Sequence, residues 1–214
     1  MPGFLYHFAC SEYILKNRLD LQDSANREAF LLGSLIPDLA RDKDQSHFRR
    51  LHASGWAVPD LVQARRLLLS RPSPLLLGCY CHIFLDHYFI TAHLSKRYIL
   101  VFNGSVIDFY RDRIYKSNVF LSSKGLYGAY SAGNPLLIKD NLLPDNFLDL
   151  PEKVPFTGIP IFDDRNKRNW REEVKHYLSC PKQGDFDTFT PEELEYITLK
   201  GAELFLDEIK KLQF

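Results

Sequence analysis

Nothing in this chain supplies a covalent scaffold. Its four cysteines among 214 residues include Cys79 and Cys81, one residue apart, which fits neither a disulfide framework nor a paired Cys-x-x-Cys zinc knuckle. Reduced, packed thiols are expected. Charge of one sign is missing too: 27 basic against 27 acidic side chains exclude an acidic disordered tail and a strongly basic nucleic-acid binder. The longest apolar run, Pro74 to Leu85, is too short to span a bilayer and ends at Asp86-His87, so a buried helix is expected there rather than a transmembrane segment. The N-terminus lacks the basic stretch, apolar core and small-residue cleavage site of a secretory leader, and the expected protein is soluble and cytoplasmic. Repeats and low-complexity stretches are absent, and strand-like alternation nearly so.

What is present is apolar material for one core. With 45% of residues apolar and 14% aromatic, the chain is expected to fold as a single mainly helical domain over residues 1–214. Helical spacing of Leu5, Phe8, Ala9 and Leu15 predicts a helix from Phe4 to Leu19. A second should run from about Ala25 to Ile36, where Pro37 disfavours helix at the residue before it and Asp38 begins a loop. A third starts at Pro59 or Asp60 and turns Leu61, Ala64 and Leu68 inward. The fourth is capped by Ser73, opens on Pro74 and continues to about Tyr98. From Phe102 to Asp164, glycine, proline, asparagine and aromatics predict short helices and long loops, the stretch Gly125 to Gly133 among them. A helix resumes between Asp164 and Leu178. The last follows the capping-box pattern of Thr190 and Glu193, with Leu194, Ile197, Ala202, Leu204 and Ile209 inward.

The fourth helix carries the most chemical information. His82 and Asp86 are four residues apart and project from one face, a spacing that can grip one metal ion. A carboxylate in so apolar a helix is costly unless paired or bound to a cation, and no Lys or Arg lies within a turn on its face. The pair could equally bond to each other in the core, or Asp86 could meet a distant arginine. Asp38 and His47 could fold back toward the same point, or be an ordinary turn residue and a surface side chain. Tyr6, Phe48, Trp56 and Tyr80 could line an apolar entrance or simply pack. His93 lies on the stripe of His82 and Asp86, as an extra ligand or as core or surface, whereas His52 and His87 stand off it.

Taken in order, an early helical histidine (His7), a Gly-x-x-x-Pro-Asp segment ahead of His-Phe (Gly33 to Asp38, His47-Phe48), and a Gly-x-x-x-His-x-x-x-Asp helix (Gly78 to Asp86) resemble the zinc-dependent phospholipase C family. That family also includes zinc-dependent single-strand nucleases, and the resemblance covers about the first hundred residues. It implies that Asp38, His47, His82 and Asp86 surround one zinc, while Asp86 bridges to a second held by His7. It further implies phosphoester hydrolysis by water activated between Lewis-acidic ions, with Asp38 as the catalytic residue that orients the water. Ligands of this type also accept manganese, iron or nickel. Two family features lack a counterpart: a processed N-terminal amine as ligand, and a later His-x-x-x-Glu pair, since His176 is followed by Tyr-Leu-Ser-Cys180.

The sequence therefore predicts a helical bundle of the phospholipase C/nuclease type, with residues 1–100 as a metal-binding core and residues 101–214 as a loop-rich cover plus C-terminal helices. Its expected function is metal-dependent hydrolysis of a small-molecule or lipid-headgroup phosphoester, with one or two zinc ions. A metal-stabilised, non-catalytic interaction domain is the second reading. A variant of the His-Asp phosphohydrolases is the third, although the chain has no contiguous His-Asp dipeptide.

Overall fold

A computed structural model describes residues 3–123, 125–165, 169–179 and 188–212, without the side chains of 68 and 69. The inward placement expected of Leu68, and Cys180, lie outside the described residues. In chain order the helices are α1 (Phe4–Lys16), α2 (Ser24–Gly33), the single turns α3 (Ile36–Leu39) and α4 (Lys43–Ser46), α5 (Leu61–Ser70), α6 (Pro74–Tyr88), α7 (Ser95–Arg97), α8 (Ser117–Phe120), α9 (Leu126–Lys139), α10 (Pro160–Asp163), α11 (Trp170–Ser179) and α12 (Pro191–Lys211). A hairpin of β1 (Arg49–Leu51) and β2 (Ala57–Pro59) follows α4, and an antiparallel sheet of β3 (Tyr98–Leu100), β4 (Ser105–Asp108) and β5 (Arg113–Lys116) follows α7. The single domain is mainly helical, as the spacing of its apolar residues predicts.

Helix α6 is the axis of the core. It packs against α2, α5, α12 and α1, while α1 and α9 close on α12. Both α1 and α6 are apolar on nearly every side, which is the signature of a helix buried all round. Ser73 caps α6 by accepting from the Leu76 N–H, and Thr190 and Glu193 form the reciprocal box at α12. Gly33 and Gly78 set the closest contact: a Cβ on Gly33 would lie 2.0 Å from the Leu75 carbonyl oxygen, and one on Gly78 would lie 2.1 Å from that of Phe30. Only glycine at both positions lets the backbones of α2 and α6 touch.

Several sequence expectations need correction. α1 stops at Lys16, and Leu19 stands exposed in a short 3-10 turn. Asp38 does not begin a loop: Pro37 occupies the first turn of α3, where its missing N–H is harmless, and Asp38 is helical. The Gly125 to Gly133 stretch lies largely within helix α9, because a small residue is what α9 needs against α1; a Cβ on Gly133 would lie 2.1 Å from the Tyr6 hydroxyl. On α12, Leu204 is only half-buried, and Phe205 joins Ala202 and Ile209 as fully buried. The five described strands are three or four residues each, too short for alternation to register as a period.

α6 also continues further than its apolar run. Through a π-helical segment, Phe89–Leu94, it joins α7, and the resulting 24-residue helix, Pro74–Arg97, is long and apolar enough by length and composition to cross a membrane. Two thirds of its most apolar stretch (67%) is buried inside the protein, as a core helix would be. The wider π turn rotates everything beyond it by roughly a quarter-turn. His93, within this segment, rests edge-on against Tyr88, 5.1 Å away.

Candidate metal centre

Four elements deliver five polar side chains to one buried point. α1 supplies His7, α3 supplies Asp38, α6 supplies His82 and Asp86, and His47 caps the end of α4. The chain reverses just after His47, where Phe48 adopts a left-handed backbone (φ 50°) and its ring packs edge-on against Phe162. Such a conformation costs a bulky residue about 1–2 kcal/mol, offset here by packing that turns His47 inward. His47, His82 and Asp86 have no solvent exposure, His7 has 1% and Asp38 7%.

The ring nitrogens are oriented by backbone carbonyls. His82 Nδ1 lies 2.7 Å from the Ser34 carbonyl, a partner that only accepts, so Nδ1 carries the hydrogen and Nε2 the lone pair. This bond depends on the close approach of α2 and α6 at Gly33 and Gly78. His47 Nδ1 lies 2.9 Å from the Lys43 carbonyl and donates to it. Ser46 Oγ, 3.0 Å from the same nitrogen, has its own hydrogen directed to the Pro37 carbonyl. Both Nε2 atoms are thus acceptors, yet they face each other at 3.2 Å.

No proton resolves this opposition near neutral pH. Burial pulls His82 down to about 4, against the opposing pull of Asp38. His7 and His47 are lowered as well, first by burial and then by the neighbouring imidazole of His82. Two lone pairs in contact repel unless a cation lies between them. Imidazoles bound at about 2.0–2.1 Å to one tetrahedral zinc hold their nitrogens roughly 3.3 Å apart, close to the spacing found.

Asp86 sits between two sets of donors. Its Oδ1 is 3.5 Å from His7 Nε2, and its Oδ2 is 3.4 Å from His47 Nε2 and 3.6 Å from His82 Nε2. Among the described residues, neither oxygen has a hydrogen-bond donor, and neither nitrogen of His7 has a hydrogen-bond partner. Burial pushes the Asp86 carboxyl up to about 8, the response of an acid that lacks a counter-charge. Asp38 behaves oppositely: burial raises it, but His82, protonated at the low pH where Asp38 would titrate, and then Lys43, whose Nζ is 2.8 Å from its Oδ1, outweigh that and hold it well below the ordinary range. Donor atoms of His7, His82 and Asp86 lie within 4.8 Å of one another, as do those of Asp38, His47 and His82. Nitrogen and carboxylate donors of this kind, in two triads that share His82, fit divalent zinc by chemistry and by spacing.

Other residues singled out by the sequence have structural partners. Tyr6 donates to the Tyr130 carbonyl, Trp56 to that of Tyr98, and Tyr80 to Glu208, so these three pack and do not line an entrance. His52 bonds to Ser54 and His87 to the Pro59 carbonyl. Cys10, Cys79 and Cys81 are free and buried. Lys43, and the carbonyls of Ser34 and Lys43, were not legible beforehand: a contact across five residues and two backbone acceptors leave no spacing to read.

A helical scaffold that aims orphaned imidazoles and carboxylates at one interior point defines a protein of the metal-dependent kind. Residues 6–189 match the family described as zinc dependent phospholipase C, and the chain belongs to that family, which comprises phosphoric diester hydrolases. The match reaches well past the first hundred residues, into the sheet, α9 and α11. No curated protein and no solved structure matches the chain.

Proposed function

We propose that the protein hydrolyses a phospholipid headgroup phosphodiester with water activated at zinc held by His7, Asp38, His47, His82 and Asp86. The observation that carries this reading is the pair of imidazole lone pairs 3.2 Å apart beside a carboxylate with no donor among the described residues. Zinc supplies Lewis acidity there, lowering the pKa of water and stabilising charge on a phosphoryl oxygen. Ser34 and Lys43 fix the tautomers of His82 and His47 through their carbonyls. Asp86, with one oxygen toward each donor set, has the arrangement of a bridging ligand. Asp38 is held so low that it is a poor proton acceptor, so its role is to orient the attacking water, with Lys43 keeping it ionised and in place.

The near-complete burial of the five residues favours a second reading, a closed site in which the ion only stabilises the fold. One experiment separates the two. Metal content of protein purified without added metal is compared between wild type and Asp86→Asn, together with hydrolysis of a short-chain phosphatidylcholine. Zinc and hydrolysis lost together support the proposal. Bound zinc with no hydrolysis in wild type assigns the structural role, and equal metal content in both proteins refutes the ligand assignment.

A further inference from the structure

The sheet β3–β4–β5 turns one side inward and leaves the other partly open to solvent. Its register aligns Tyr98 with Asp108, and Leu100 with Val106 and Tyr115; Tyr98, Val106 and Asp108 are buried. The alternate row, Ile99, Ile107 and Ile114, is aligned across all three strands and lies on the other side, with Ile99 and Ile107 half-buried and Ile114 72% exposed. Aromatics stand at both ends. Phe102, in the β3–β4 turn, is completely exposed, and Phe109 and Tyr110 project from the β4–β5 turn at the opposite end. Single exposed apolar residues need no explanation, but cross-strand neighbours about 5 Å apart form a continuous strip.

Charge distinguishes the possible occupants of this strip. Between Lys96 and Lys116 the chain carries five basic residues, Lys96, Arg97, Arg111, Arg113 and Lys116, against Asp108 and Asp112, in a protein whose total formal charge is zero. Asp108 is buried. Behind Tyr110 a cleft of about 410 Å³ is lined by His93, Lys96, Arg97, Phe189 and Glu193. Aromatic tips set among cations are the composition of a surface that enters the polar layer of a membrane, where each Lys or Arg adds attraction to anionic lipid.

We propose that this outer face is the surface by which the protein docks on an anionic phospholipid bilayer, an inference that rests on phospholipid being the substrate. The helix that carries His82 and Asp86 runs directly into β3, so docking fixes the orientation of the centre relative to the membrane.

The test uses zinc-loaded protein and vesicles of phosphatidylcholine with or without phosphatidylglycerol. Wild type should sediment with the anionic vesicles roughly 30-fold more strongly than with neutral ones, from the two positive charges left in excess once Glu193, 3.9 Å from Arg97, is counted, and less so at high salt. The triple variant Phe102→Asp, Phe109→Asp, Ile114→Asp, altered only at exposed positions, should lose at least tenfold in sedimentation and in vesicle hydrolysis, while hydrolysing monomeric short-chain phosphatidylcholine as wild type does. Lys96→Glu with Lys116→Glu, the latter on the same side of the sheet as Ile107 and Ile114, should lose the anionic preference alone. Wild type left in the supernatant, or unchanged sedimentation of both variants, overturns the docking surface. So does dimerisation in solution abolished by the triple variant, which assigns the face to a second copy. Sedimentation as expected without hydrolysis of either lipid overturns the hydrolase reading and leaves docking in place. Hydrolysis of the monomeric lipid without sedimentation does the reverse.

Discussion

In the metal-free protein, replacing the central carboxylate should stabilise the fold. Burial pushes Asp86 up to about 8 from its ordinary 3.8, so at pH 7 the folded protein must hold it neutral. Across the interval from 3.8 to 7, at about 1.4 kcal/mol per pH unit, this costs about 4 kcal/mol. The Asp86→Asn variant bears no such cost, and its amide inherits the same unmet hydrogen bonds as the neutral carboxyl, so that penalty cancels. The sign with pH follows: between 6.5 and 8 the folded chain holds at Asp86 a proton that the unfolded chain has released, so the advantage of Asp86→Asn over wild type grows as pH rises. The three lowered histidines oppose this toward pH 6.5, where the unfolded chain is half protonated at each, but they are present in both proteins and cancel from the comparison with Asp86→Asn. Zinc should invert the order, since at a thousandfold excess over its dissociation constant it stabilises wild type by about 4 kcal/mol and the variant far less. Urea denaturation of both proteins with chelator and with zinc, at several pH values, measures all of this. Metal-free Asp86→Asn no more stable than metal-free wild type from pH 6.5 to 8, or equal stabilisation of both by zinc, would refute the argument that an uncompensated buried carboxylate defines the site.

Further outcomes follow from the same geometry. Metal-free protein should lose stability as pH falls from about 6.5 toward 4, because the unfolded chain takes protons that the buried His82, lowered to about 4, refuses; thermal melts with chelator across that range should show it. Lys43→Met should leave zinc content unchanged, because a protonated amine is no ligand, yet lower turnover severalfold by loosening Asp38; metal analysis beside steady-state kinetics separates the two. Chelation of wild type should abolish phosphodiester hydrolysis, and added zinc should restore it.

The two halves of the chain were unequally legible. α6 and α12 were readable because each announces itself locally: Ser73-Pro74 and Thr190-Pro191 with Glu193 are capping signals that act within one turn. α9 was not, since Gly128, Gly133 and Pro135 all argue against helix on propensity, and only the tertiary demand for a small residue against Tyr6 overrides them. The sheet escaped because strands of three or four residues contain too few alternations, which also concealed the isoleucine row. At the centre, the i, i+4 spacing of His82 and Asp86 was visible directly. Asp38 and His47 were drawn to them by chain geometry that allowed convergence without requiring it, and His7 by the family resemblance alone, for convergence of four elements is a property of packing.

That packing explains why glycines stand in the same motifs as the ligands. Gly33 precedes Ser34, whose carbonyl fixes the His82 ring, and Gly78 lies one turn before His82 on the facing helix. A methyl group at Gly78 would meet the Phe30 carbonyl oxygen at 2.1 Å, a backbone atom that cannot swing aside, so α2 and α6 must separate. Overpacking of this kind costs about 1–3 kcal/mol, but the larger consequence is chemical. Once Ser34 recedes from its 2.7 Å contact with Nδ1, nothing distinguishes the two tautomers of His82, and the Nε2 lone pair is no longer held toward His47. Gly78→Ala should therefore weaken zinc binding by about 10- to 100-fold, the usual range for losing a partner that orients a ligand, in a protein that still folds. Zinc titration with a competing chelator measures it, and an unchanged affinity would show that the helix contact serves stability alone.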